Sequence, residues 1–219
     1  PPITIEVVGG QVMDNAVSRT WERTDYLIGM GDAARTWLWG PTGRTCAFAE
    51  RYAEAPGGFR AVQYFDKSRM EVTNPDADSS SEWYVTNGLL VAEMVTGQMQ
   101  VGDDRFVDAG PAWVNVVGDG GVEDALTYAM LLDLFFEPAM PEGWLITERV
   151  SAVNTANPDA AYLTVYDDPW LAHLGVTAAF YAPETDHTVA SVFWDFMNSD
   201  GLVWAYGEYD NLPLFSNPF

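Results

Sequence analysis

The chain has 219 residues, enough for one large domain or two small ones, and 48% hydrophobic against 19% charged residues is a globular, not a disordered, composition. Ten basic against 32 acidic residues give a net charge of −22, which repels nucleic acid and anionic membranes because phosphate neutralisation needs Lys and Arg. The lone Cys46 excludes an intrachain disulfide, and no apolar run approaches the roughly 20 residues of a membrane-spanning helix.

PPITIEVVGG opens the chain without an initiator Met, which reads as processing, since secretory signals are removed from mature proteins. Ile3, Thr4, Ile5, Glu6, Val7 and Val8 spell a short β-strand, set off by Gly9-Gly10. A lone strand must pair within its own domain or with a neighbour. Residues 13–29 read as a helix, with Val17, Trp21 and Thr24 on one face and Asp14 or Asn15 as its cap. TWLWG (36–40) reads as a short apolar strand stopped by Gly40-Pro41. Residues 60–74 are the clearest strand region. Period two places Val62, Tyr64, Met70 and Val72 on one face with Asp66 and Ser68, and those two polar residues imply a bulge or tight turn between two strands. After a polar loop, residues 83–97 offer either a hairpin turn at Asn87-Gly88 or a helix over 89–96 ended by Gly97, and four-residue spacing favours the helix; 98–107 read as a hairpin around Gly102-Asp103.

AWVNVVGDGG (112–121) reads as a strand and a flexible turn, the expected boundary between halves. Residues 122–135 read as a helix with acids in its first turn. Residues 143–153 and 160–168 read as strands, and 169–183 is apolar with a helical option. Residues 187–201 read as a helix with Val189, Val192, Phe193 and Phe196 on one face, ended by Gly201. A helix carrying Trp21 leads to TWLWG, and one carrying Trp194 leads to VWAYG, a faint echo of duplication. The expected fold class is α+β, with short antiparallel sheets, packed amphipathic helices and two related halves. The expected domains are an N-terminal strand and hinge over 1–10, a first half over 11–118 and a second over 119–219. Residues 1–110 carry nine basic and 16 acidic residues, net −7, whereas 111–219 carry only Arg149 against 16 acids, net −15.

RTWLWGP, ERYAEAPGGFRAVQYFDKSRMEVTNP, WYVTNGLLVAEMVTGQMQVGD and VFWDFMNSDGLVW together resemble an uncharacterised family of secreted proteins of filamentous green non-sulfur bacteria (Chloroflexota). The resemblance spans most of residues 15–215 and implies an extracellular setting. In that family a segment like QYFDKSRMEV recurs after the second helix unit, and this chain ends at Phe219 before such a copy. A weaker similarity links Phe65–Arg69 through Gly97 to LGFP repeats of bacterial cell-envelope proteins, although the Leu-Gly-Phe-Pro order is missing.

The chemistry of catalysis is sparse. His173 and His187 lack His or Cys at ligand spacing, so no zinc site and no cofactor is expected. Cys46 has no nearby His, and neither G-x-S-x-G nor a phosphate-cradling glycine loop is present. Asp66 is the most pointed carboxylate for a glycosidase-like pair, against an ion pair with Arg69 or Arg60. Asp76/Asp78, Asp103/Asp104 and Asp167/Asp168 are acidic loops, and none follows the EF-hand pattern for Ca²⁺. Aromatics reach 14%, and Trp37, Trp39 and Trp204 are candidates for a glycan platform as well as for core packing. The balance points to a secreted, non-enzymatic subunit of an extracellular or cell-surface filament. It would join head to tail with copies of itself by donating Ile3–Val8 to an open sheet edge. A cell-wall or polysaccharide-binding module is the alternative, and a glycoside or cell-wall hydrolase the third reading.

Overall fold

The computed structural model describes residues 15–66, 68–81, 83–117, 125–153, 162–183, 185–205 and 207–215. The expected N-terminal strand lies outside them. The fold is α+β, with one three-stranded and four two-stranded antiparallel sheets among the described residues. The chain divides into two compact units, one of residues 1–90, 100–107 and 198–219 and the other of 91–99 and 108–197.

The first unit opens with helix α1, Asn15–Met30. Its 3.6-residue period buries Val17 and Thr24, as the sequence predicts. Strands β1 (Phe48–Arg51), β2 (Phe59–Tyr64) and β3 (Arg69–Val72) form the three-stranded sheet in that order. The turn between β2 and β3 is where Asp66 and Ser68 suggest it. Its length corrects the expected facing, however. Val62 pairs with Glu71 and Tyr64 with Arg69, whereas Ala61 and Gln63 pair with Val72 and Met70. Opposed residues share a face, so the even-numbered positions of β2 sit with the odd-numbered ones of β3. Val62 and Tyr64 therefore part from Met70 and Val72.

The consequence is a sheet with two different buried faces. Met70 and Val72 join Ala16, Val17, Phe65 and Tyr84 in the apolar core, flanked by Trp21 and Trp39. The other face carries Arg60, Arg69, Glu71 and Glu50. Arg60 donates to Glu71 at 2.9 Å and to Glu50 at 2.8 Å, and Arg69 donates to Glu71 at 2.5 Å. Two cations and two carboxylates neutralise one another there, as burial demands. Burial pushes the Glu71 carboxyl up, and Arg69 and Arg60 pull it back.

TWLWG is not a strand. Asp25, fully buried on α1, accepts the backbone N–H groups of Leu38 (3.0 Å), Trp39 (2.8 Å) and Gly40 (3.1 Å). The carboxylate takes the donors that a sheet ladder would have used. Gly40 has φ +109° and an added Cβ would lie 2.5 Å from the Asp66 Cβ, so only glycine fits. The unit closes with the hairpin β10 (Asp200–Ala205) and β11 (Glu208–Pro213), which packs on α1. Gly201 lies inside β10 and does not end a helix.

Helix α2 (Leu90–Thr96) runs into Gly97 at φ +73°, the left-handed stop the sequence predicts. The hairpin β4 (Gln98–Gly102) and β5 (Arg105–Asp108) follows, also as expected.

In the second unit, the described part of the expected helix, residues 125–135, is not one helix, and residues 122–124 lie outside the described residues. Only α3, Leu132–Phe135, is α-helical, after a 3₁₀ turn at Tyr128–Leu131. Val116 N–H donates to Leu126 C=O and Tyr128 N–H to Val114 C=O, so the residues just before the 3₁₀ turn are held extended by their neighbour. Residues 112–117 form no strand beyond the single bridge Asn115–Thr127. Strands β6 (Glu148–Val153) and β7 (Tyr162–Asp167) pair as a hairpin. The apolar stretch 169–183 begins as a 3₁₀ turn, Pro169–Leu174, and continues as β8, Ala178–Ala182. β8 pairs with β9, His187–Ala190, so the expected helix over 187–201 is reduced to α4, Ser191–Asn198. Val189 thus sits in a strand, and Val192 and Phe193 face solvent.

Candidate functional site

The first unit contains a cavity of about 280 Å³ between α1, the Asp25-held loop, residues 83–87 and the end of β11. Thr20, Arg23 and Thr24 come from α1, Leu38 and Trp39 from the loop, and Trp83, Val85, Thr86 and Asn87 from the segment before α2, with Leu214 and Phe215 at the rim. The helix period sets Thr20, Arg23 and Thr24 on one side, because residues three and four apart stack along a helix. Trp39 is delivered by the three hydrogen bonds to Asp25. Its carbonyl accepts the N–H of Asp66 at 3.1 Å, and Trp21 Nε1 donates to the Gly40 carbonyl at 2.8 Å.

The polar atoms of this cavity distinguish it. Thr24 is 3% exposed, and its Oγ1 has no hydrogen-bond partner among the described residues. The buried Nε1–H of Trp39 is likewise unpartnered. Native proteins satisfy nearly all such groups, and each one left over weakens the fold. Both residues line the same cavity, Thr24 carrying a hydroxyl and Trp39 a fixed donor, and each of the two atoms is itself buried. Arg23 Nη1 donates to the Leu214 carbonyl at 2.8 Å, and burial lowers the pKa of its guanidinium. Trp83, 76% exposed, forms an aromatic wall open to solvent.

The residues expected to form a platform are dispersed within the unit. Trp39 lines the cavity just described. Trp37 stacks on Trp21 with ring centroids 6.4 Å apart and planes at 23°. Trp204 lines a different cavity with Tyr26 and Tyr209. Trp83 and Thr24 escape sequence reasoning. Trp83 sits in a polar loop without periodicity, and Thr24 reads as one more position on a buried helix face.

The carboxylates and histidines have local roles. Asp66 is exposed and pairs with Arg44 at 2.5 Å, so the buried carboxylate beside Arg60 and Arg69 is Glu71 instead. Asp78 accepts from the Ser80 N–H and hydroxyl, which hold its pKa below the usual range. Asp103 accepts the Tyr52 hydroxyl at 2.8 Å, and Asp168 accepts the Trp170 N–H and pairs with Arg149 at 3.2 Å. His187 Nδ1 lies 2.6 Å from the Thr185 carbonyl, and His173 Nδ1 bonds the Trp170 carbonyl. No group of three His, Cys, Asp or Glu side chains is arranged to hold a metal among the described residues. No described helix is long and apolar enough to cross a membrane. No family model, curated protein or solved structure matches the chain.

Proposed function

We propose that the protein is a secreted, non-enzymatic binding module that takes up a carbohydrate in the Trp39–Trp83 cavity. The observation that carries this is the pair of buried, unpartnered polar groups on Thr24 and Trp39, two residues that line a cavity walled by tryptophan. A sugar ring offers apolar C–H faces for the indoles and hydroxyls that both donate and accept. A small set of placed polar groups within an aromatic wall is the general pattern of such sites.

The test is calorimetric titration of an oligosaccharide panel into the wild type, Thr24→Val and Trp39→Phe. Each substitution removes one hydrogen bond to the ligand and none within the protein. A bond contributes about 0.5–1.5 kcal/mol, so the two together weaken binding about tenfold or more, while the unfolding midpoint stays put or rises in Thr24→Val and falls in Trp39→Phe, whose indole packs against the core. Equal affinity in wild type and double variant defeats the proposal.

A second reading, a self-assembling surface subunit, rests on the second unit. Its sheets β6–β7 and β8–β9 are two-stranded, and Val150, Tyr162, Val165 and Tyr166 are exposed on the first. Such edges are templates for another strand, and Ile3–Val8 of a second copy has the sequence of a donor. Light scattering and negative-stain microscopy of the intact chain against one lacking residues 1–10 test it. Large oligomers that vanish on truncation support strand donation, and two monomeric samples end it.

A further inference from the structure

A second cavity of the first unit, about 370 Å³, is lined by Arg19, Glu22, Tyr26, Trp204 and Tyr209. Its construction follows from two periodicities. Glu22 and Tyr26 lie one helical turn apart on α1, so they present to the same side. Trp204 and Tyr209 are directly opposed across the β10–β11 hairpin, so their rings share a face. Their centroids are 5.0 Å apart and their planes stand at 70°, forming two walls of a corner. Tyr26 and Trp204 are 42% and 43% exposed, which leaves the corner open to solvent. Burial, with Tyr26 and Glu22 nearby, raises the Tyr209 hydroxyl pKa, so its ring stays neutral at pH 7.

Three aromatic rings and one carboxylate around an open cavity suit one ligand chemistry above others. Ring faces carry negative quadrupole charge and attract a cation placed over them. A quaternary ammonium donates no hydrogen bonds and sheds its water easily. It would need only ring faces and one diffuse negative charge, and Glu22 supplies the latter. A lysine-like ammonium would have to exchange its tighter hydration for Glu22 and two tyrosine hydroxyls. The net charge of −22 raises the local concentration of any cation. Arg19, whose Nη2 donates to the Ser79 carbonyl at 2.8 Å, stands on the rim. There it repels a bare cation weakly but suits an anionic group attached to one.

We propose that Trp204, Tyr209, Tyr26 and Glu22 form a binding site for a quaternary ammonium group. The site does not depend on the carbohydrate reading, because it shares no residue with the Trp39–Trp83 cavity. Two sources carry this chemistry, free choline-like solutes and phosphocholine headgroups.

The test is titration of the full chain with choline chloride, with its uncharged isostere 3,3-dimethylbutan-1-ol and with phosphocholine, followed by calorimetry and by NMR of the tryptophan indole N–H signals. Trp204→Phe identifies the Trp204 signal. Choline is expected to shift that signal, and the isostere to need about tenfold more ligand for the same effect, since a desolvated cation–π contact contributes about as much as one decade of affinity. Glu22→Gln, at an exposed position, keeps the fold and weakens choline about three- to fivefold, the range of a partly exposed ion pair. Phosphocholine binding tighter than choline, with the gain lost in Arg19→Gln, identifies a headgroup site, and equal binding identifies a free solute. Equal response to choline and its isostere, unchanged choline affinity in Glu22→Gln, or no shift at Trp204 each overturn the proposal.

Discussion

Asp25→Asn tests whether one carboxylate builds the loop that carries Trp39. In the wild type its two oxygens accept three N–H groups, from Leu38, Trp39 and Gly40, at 2.8–3.1 Å. Asparagine keeps one acceptor oxygen. Its amide is a donor and must face at least one backbone donor. If the oxygen stays toward Trp39 and Gly40, two charge-assisted bonds become neutral ones, losing about 1 kcal/mol each, and the Leu38 N–H is left buried and unpaired for about 1–3 kcal/mol more. Burying a neutral amide in place of a charge returns a small part of this. The expected loss is about 3–4 kcal/mol, a large fraction of a domain's stability. Guanidinium unfolding monitored by tryptophan fluorescence measures it. The variant should also bind oligosaccharide more weakly, because Trp39 is no longer fixed. A loss below about 1 kcal/mol would refute the view that Asp25 holds the loop.

Three further outcomes follow from the first unit. Gly88→Ala should lower stability by about 2–4 kcal/mol in thermal unfolding, since residue 88 has φ +59° and its new Cβ would lie 2.0 Å from Glu71 Oε1 inside the buried ion-pair network. Tyr52, buried and donating to Asp103, has its pKa raised from 10.0 to about 12. The folded state therefore holds this proton more tightly than the unfolded one, so the contribution is full below pH 10 and is lost as pH rises from 10 to 12. It should amount to about 1–2 kcal/mol in the difference between wild-type and Tyr52→Phe unfolding curves. Arg35 Nη2 donates to the carbonyls of Thr24 and Leu202, tying α1 to β10. Arg35→Ala should raise the amide exchange rate of β10 and β11 selectively, and unchanged exchange there removes that role.

The elements legible in the sequence are those whose pattern and partner coincide. Helix α1, β2 with β3, α2 with its Gly97 stop and the β4–β5 hairpin satisfy their backbone groups locally, so periodicity and glycine position suffice. The misassigned elements share one cause, a hydrogen bond from elsewhere in the chain. TWLWG has the apolar content of a strand, but Asp25, eleven residues before it, takes its N–H groups. Residues 125–127 belong to an expected helix, but the backbone of 114–116 holds them extended. His187–Ala190 continues the apolar period of α4 and pairs with β8 instead. The facing of β2 against β3 turned on the length of the intervening turn, which period two cannot supply. At the candidate sites the residue types were visible and their grouping was not. Trp39 and Trp204 were flagged together, and the fold assigns them to separate cavities with partners, Thr24 and Glu22, that look ordinary in sequence.

Both cavities lie in the first unit, where the cations are concentrated. Nine of the ten basic residues fall within its bounds. Arg19, Arg44, Arg51 and Arg105 are exposed, and the buried or half-buried arginines are spent inside the fold. Arg60 and Arg69 neutralise Glu50 and Glu71 inside the sheet, and Arg19, Arg23 and Arg35 donate to the carbonyls of Ser79, Leu214, Thr24 and Leu202. Arginine suits this use because its planar fork satisfies several acceptors while staying charged. The C-terminal hairpin is thereby fastened to α1, and that junction creates the corner between Tyr26, Trp204 and Tyr209. With 32 acidic against ten basic residues, the chain as a whole is strongly acidic. Any cation approaching the corner is then drawn by a field that salt screens over about 10 Å at 0.1 M ionic strength. Choline affinity should accordingly fall as NaCl rises, whereas oligosaccharide affinity at the Trp39–Trp83 cavity should stay level. Parallel titrations of both ligands across a salt series separate the two sites, and a choline isotherm that ignores salt would leave ring contact, without Glu22, as its only support.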